Sequence, residues 1–408
     1  MATIGWIDFS PNDRNRIGSV LDLLRPEGMV DELGLGTIRD ALANQLFPGI
    51  STIQTKAKYF FIIPYILLDY QALKPVQRRG KSALKYLEDK EYEVMWYLAE
   101  DVYDHEEGCG VIGITKSKPE KIIRRPSAIY WNGLYTYQFI GTNGLSADSF
   151  LRQAGNESIE SLVSVKQGDD STGDDADVDH ENMFRVRVPA RLNWKDNLTL
   201  DLHREEAEFF HDRIISIAKN KLIAELLQND KLWKVFKKAE NFVQFAKAAM
   251  SLSLPSNLEA MLVLAHDFSE LMYGAHLAYN CQLHNKVFNS DLFDEEWEEW
   301  LAGLQDNMLN YSQFNPENLF GYATTTRTTT TQFVKDWWKQ AQSGFPNINK
   351  RNSLIEQQEA IVKGGKARLR WKKTDDVREN NWHGLRHFDY RFFQARTILN
   401  DIRTGLNQ

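Results

Sequence analysis

Apolar residues recur at helical spacing along most of this chain. Ser10 and Pro11 suit an N-cap and a first helical position. Ile17, Val20, Leu21 and Leu24 then share one face, and Pro26 and Gly28 stop the helix. A second stripe, Ile38, Ala41, Leu42 and Leu46, is expected to open at Thr37. Ser51 or Thr52 predicts the start of a third helix that runs into the apolar stretch 59–68, where Pro64 should kink or end it. Another amphipathic segment covers about 81–103. Past residue 200 the same period dominates 201–228, 231–251 and 257–287, the last apolar almost all round and therefore expected to be central. Shorter helices are expected around Trp297 and Trp300, and from Thr329 or Thr330 through Trp338. In a C-terminal helix over 388–402, Phe388, Phe392, Ala395 and Leu399 align on one stripe.

The period breaks in few places. Gly108, Gly110 and Gly113 interrupt it, and 111–115 reads as a short strand; Pro126 and Ser127 then start another helix. Helices, a short strand and a basic turn predict a winged-helix-like element in the N-terminal part. Phe184, Val186 and Val188 alternate with Arg185 and Arg187 like an edge strand. Between these regions, 169–181 carries seven acids, no Lys or Arg, and almost nothing apolar. Such a stretch buries too little surface to offset its ordering entropy, so a flexible linker is expected. The pattern predicts a mainly α, multi-helical chain with minor β. It divides into a helical N-terminal domain over 1–165, an acidic linker or loop over 166–183, and a helical C-terminal domain over 184–408.

Composition adds a compartment. Two cysteines in 408 residues, Cys109 and Cys281, argue against a disulfide framework. The opening MATIGWIDFSPNDR lacks the basic and apolar regions of a secretion signal. The run 59–68 is too short to span a bilayer, which needs about 20 apolar residues. A cytoplasmic protein without membrane contact is expected. Charge is uneven: the chain's net is −7, yet from Lys335 to Arg403 there are 15 Lys/Arg against 8 Asp/Glu, a net of +7 that leaves −14 elsewhere. A basic end on an acidic protein suits contact with a polyanion.

Candidate chemistry is sparse. His284, Lys286 and Asp291 fit the His-x-Lys-x4-Asp spacing of phospholipase D-like phosphodiesterases, where His attacks phosphorus and Lys steadies phosphate charge. That chemistry needs two copies, and the sequence holds one. Glu208 and His211 have the spacing of a di-iron bundle motif without its second half. His276, Cys281 and His284 share a helix at no known zinc spacing. Gly34 and Gly36 precede a helix but lack the strand and third glycine of a phosphate loop. No metal or cofactor is expected, and a non-enzyme is favoured over the phosphodiesterase. Two basic-aromatic clusters suit nucleic acid better. Lys116, Lys118, Lys121, Arg124 and Arg125 precede Tyr130 and Trp131, while Lys363, Lys366, Arg368, Arg370, Lys372 and Lys373 surround Trp371.

The segments GWIDFSPNDR (5–14), VDELGLGTIRDALANQLFPGISTIQTKAKYFFIIPY (30–65), RPSAIYWNGL (125–134), DFSELMYGAHLAYN (267–280) and FDYRFFQARTILNDI (388–402) resemble an uncharacterised bacterial family of unknown function. The resemblance implies a place in anti-phage defence islands, often near large helicases, with a Druantia-type system as the nearest context. It implies other proteins of that system as partners, a large helicase among them; contact with DNA or RNA is expected from the basic clusters, not from the resemblance. It brings no established catalytic residues.

Overall fold

The computed structural model describes residues 30–78, 81–142, 144–152, 184–306, 314–371, 377–379 and 381–408. The helix expected over residues 10–24 and the acidic stretch 166–183 lie outside them.

Helix α1 (Gly36–Leu46) is opened by Asp31, whose carboxylate accepts the Leu35 and Gly36 N–H groups at 3.0 and 2.6 Å, not by Thr37. Helix α2 (Tyr59–Ala72) starts later than Ser51 and continues through Pro64. The proline sits in the second turn, where its missing N–H forfeits the bond to the Phe60 carbonyl. Both flanking residues, Ile63 and Tyr65, are buried, and their packing holds the turn. After α3 (Pro75–Arg78), α4 (Ala83–Trp96) is capped by Ser82, which accepts the Lys85 N–H at 3.2 Å; the coil widens to a π-helix over Tyr97–Val102. Residues 111–115 form turns rather than the expected strand. Gly108, Gly110 and Gly113 all have φ between 84° and 97°, which extended chain does not tolerate. Helix α5 (Pro126–Thr136) begins on its proline as expected. Residues 184–188 supply only one antiparallel bridge, Val186 to Ile140. The described residues contain no strand, and the fold is mainly α.

Of the three long helical patterns after residue 200, the first two are each broken. Helices α6 (Arg204–Ile217) and α7 (Leu222–Gln228) part around Asn220, at φ 66°, and α8 (Asp230–Lys238) and α9 (Phe242–Ala249) part at the extended Ala239. Helix α10 (Ser256–Phe288) runs unbroken for 33 residues until Asn289 turns left-handed. Then come α11 (Asp294–Asp306), α12 (Glu317–Tyr322), α13 (Thr328–Gln342), α14 (Ile348–Lys363), α15 (Arg368–Trp371) and α16 (Phe392–Leu406). The last begins after Phe388, because Tyr390 and Arg391 have φ of 47° and 67°.

The chain forms two compact units, each assembled from separated segments: residues 1–42 with 242–390, and residues 43–241 with 391–408. The continuous 1–165 and 184–408 expected from the sequence do not coincide with either. In the first unit α10 is central. Every residue from Leu271 to His284 is buried, against Trp297, Trp337, Phe345 and Phe388. Gly274 admits Trp300, whose ring would meet an added Cβ at 2.1 Å. In the second unit α2 is buried on nearly all sides. Phe60 meets Tyr130, Phe139 and Phe210 at ring distances of 5.0, 5.7 and 4.6 Å, and α16 packs along α6.

Candidate functional site

The basic C-terminal cluster is largely turned inward. Glu32, 1% exposed, receives Arg368 at 2.6 Å and Lys363 at 3.0 Å. Glu359, fully buried, accepts the Arg368 and Leu369 N–H groups at 2.8 and 2.9 Å and the Tyr279 hydroxyl at 3.0 Å. Burial pushes the Glu359 carboxyl upward, and those three donors pull it back. Two of the six cations expected to meet nucleic acid therefore hold the first unit together. Lys366 is half-buried on the 3-10 turn Gly364–Lys366, and Arg370 is exposed. The Trp371 side chain, Lys372 and Lys373 fall outside the described residues.

The other basic cluster, in the second unit, is also engaged. Arg125 binds Glu91 at 2.8 Å, Lys121 binds Glu88 at 3.2 Å, and Lys116 binds Glu120 at 2.9 Å. Lys118 lies 5.8 Å from the Trp96 ring centre, and Arg124 is exposed. Glu91 also accepts the Ser127 N–H and hydroxyl, so Arg125 and Ser127 dock the start of α5 on a buried carboxylate, which burial pushes up to about 7. Tyr130 is fully buried and Trp131 nearly so; neither offers a face for base stacking.

His284, Lys286 and Asp291 are not brought together. Residues two apart on a helix face away from each other. The His284 side chain is buried, with Nε2 3.0 Å from the Asn381 carbonyl, whereas Lys286 reaches out to Glu356 at 2.9 Å. Asp291 is exposed beyond the end of α10. Glu208 pairs with Arg204 on the surface, and His211 with Asp212. His276 is buried. The Cys281 thiol donates to the Phe293 carbonyl, and burial pushes it up to about 12. Among the described residues no cluster of His, Cys, Asp and Glu could hold a metal ion. At Gly34 and Gly36 the Asp31 carboxylate already occupies the place a phosphate would take.

One arrangement does join residues from separate candidates. Lys286 on α10 and Arg370 on α15 line a groove of about 560 Å³ with Asn349, Asn352, Ser353, Glu356, Gln357 and Ala360 of α14, and with Gln282. Asn347 starts α14, its Oδ1 accepting the Lys350 N–H at 3.0 Å. From that start, positions 349, 352, 353, 356, 357 and 360 share one face. The opposite face, with Arg351, Ile355 and Gln358, is buried. Gln282 is 7% exposed; its Nε2 donates to the Asn352 carbonyl at 3.4 Å, and its Oε1 has no hydrogen-bond partner among the described residues. Sequence pattern alone picks out Lys286 and Arg370 but misses the amide face. The signal is there, as polar residues at i, i+3, i+4, i+7 and i+8, but hydrophobic periodicity does not look for it.

A family model described as "Family of unknown function (DUF6361)" matches residues 1–403. The chain belongs to this family. None of the curated proteins and none of the solved structures matches it. Several segments that carried the resemblance prove to be rich in structural anchors. In this DUF6361 member Asp31 and Glu32 anchor the first unit, and Arg125 and Ser127 anchor α5. Lys58 and Glu206 form a buried pair at 2.6 Å, and Asp401 receives Lys56 and the Ala57 N–H. No helix among the described residues is long and apolar enough to cross a membrane.

Proposed function

We propose that this chain is a non-catalytic component of a bacterial antiviral defence system and that it contacts DNA or RNA through the groove of α10, α14 and α15. The observation that carries the contact is the meeting of Lys286 and Arg370 in one open groove lined otherwise mostly by amide and hydroxyl side chains. Cations draw phosphates and neutral polar groups position them, while the one carboxylate among the described residues of the groove, Glu356, is held by Lys286 at 2.9 Å. The antiviral setting rests on the likeness of the quoted segments to proteins of defence islands, which also suggests other proteins of such a system, a large helicase among them, as partners. A cytoplasmic location fits the two unpaired cysteines.

The test is binding of labelled single-stranded 20-mers, followed by anisotropy across a salt series. The wild-type chain should bind at low salt and weaken as log salt rises. Lys286→Ala with Arg370→Ala should flatten that slope by about one unit for each phosphate no longer held. Absence of binding at low salt, or an unchanged slope in the variant, refutes the contact. Phage plating on cells carrying the native gene cluster, with and without the double variant, tests the biological role.

A further inference from the structure

We infer that the groove seats one unpaired base of a single-stranded nucleic acid and favours bases that carry an exocyclic amino group. The inference rests on the polyanion reading above and adds what the site reads. The volume of about 560 Å³ lies within the usual range for pockets that enclose small ligands. Among the described residues lining the groove Ala360 is the one apolar side chain, and the polar side chains around it are suited to reading the edge of a base. Amide side chains pair with adenine through its amino group, and carboxylates accept from the amino group of cytosine.

Among the described residues, one acceptor of the groove is left without a donor. Gln282 Oε1 is a buried acceptor without a donor among the described residues. Glu356, about a third exposed, is held by Lys286 at 2.9 Å. Lys286 lies one helical turn beyond Gln282 on the same face of α10. A phosphate that draws Lys286 away frees the Glu356 carboxylate as an acceptor for the base that follows it. Phosphate capture and base reading thus use the same side-chain movement. Gln357, which donates to Ser353 at 2.8 Å, and Asn349 stand exposed at the edge, where either can rotate toward a ligand. Thymine and uracil offer a carbonyl where adenine and cytosine offer an amine, and they meet acceptor against acceptor at Gln282 and Glu356.

The experiment compares 12-mers of dA, dC, dT and an abasic backbone, titrated at low salt with the full chain. The dA and dC strands should bind about ten-fold more tightly than dT and the abasic strand. Gln282→Leu should bring dA down to the dT level while leaving the salt slope intact. Gln357→Ala, an exposed position that does not threaten folding, should reduce the dA preference by a smaller factor. Equal binding of all four strands with the salt slope preserved overturns the base pocket and leaves the polyanion contact standing. No binding to any strand overturns both.

Discussion

His276 lies on α10 with 1% of its surface exposed, and neither ring nitrogen makes a well-aligned hydrogen bond among the described residues. Burial pulls its pKa down to about 4, against the opposing pull of Asp31 and the Arg386 backbone. The unfolded chain takes up this proton near 6.5, so between pH 6.5 and 4 the unfolded state binds a proton that the folded state refuses. Stability should therefore fall as pH drops through that window, on the order of 2 kcal/mol between pH 7 and 5 from this side chain alone. Urea midpoints at the two pH values check it: the wild-type loss should exceed that of His276→Leu, and equal losses contradict the assignment. Lys58 shows the other solution to burial. Desolvation lowers its pKa, but Glu206 lies within 2.6 Å, and Tyr65 donates to the same carboxylate. The sequence names both residues without revealing which charge will be paired, since 148 positions separate Lys58 from Glu206.

Helix α16 illustrates what periodicity can and cannot fix. The face bearing Phe392, Ala395 and Leu399 is buried as its spacing predicts, with Ile398 and Ile402 beside it. Phe392 meets Phe236 at 4.5 Å, and Gly405 allows close approach to α6, where an added Cβ would lie 2.7 Å from that of Ala207. Phe392→Ala should cost about 3–5 kcal/mol, from reduced burial and a residual cavity. A chemical denaturation midpoint that does not move would refute this packing. The helix start escaped the pattern because the left-handed turn at Tyr390 and Arg391 carries no glycine or asparagine to announce it. The opposite case is α10, whose 33 residues match the predicted 257–287 closely, because a helix apolar on all sides has a single way to be buried.

At the scale of the molecule, the +7 of residues 335–403 is not a basic surface in proportion. Lys363 and Arg368 compensate Glu32 inside the first unit, Arg403 binds Asp230, and Lys335 binds Glu317. Removing Lys363 and Arg368 together strands a buried carboxylate and should cost about 3–5 kcal/mol. Lys286→Ala with Arg370→Ala, at exposed positions, should stay within about 1 kcal/mol of wild type. Thermal unfolding of the two double variants distinguishes anchor from surface. Equal stability would mean that Lys363 and Arg368 are not structural.

The helical class, the central place of α10, the buried face of α16 and the residues that mark the family are all legible in the order of the amino acids. Each of these follows from local spacing or residue identity, which the chain carries at short range. Which charges meet is fixed by the folded chain. Glu32 lies 336 positions from Arg368 and nearly as far from Lys363, and whether a lysine is anchor or ligand depends on whether a carboxylate folds up beside it. The turns at 111–115, the breaks at Asn220 and Ala239, and the groove shared by Lys286 and Arg370 were settled the same way, by backbone torsions and long-range neighbours that no periodicity encodes.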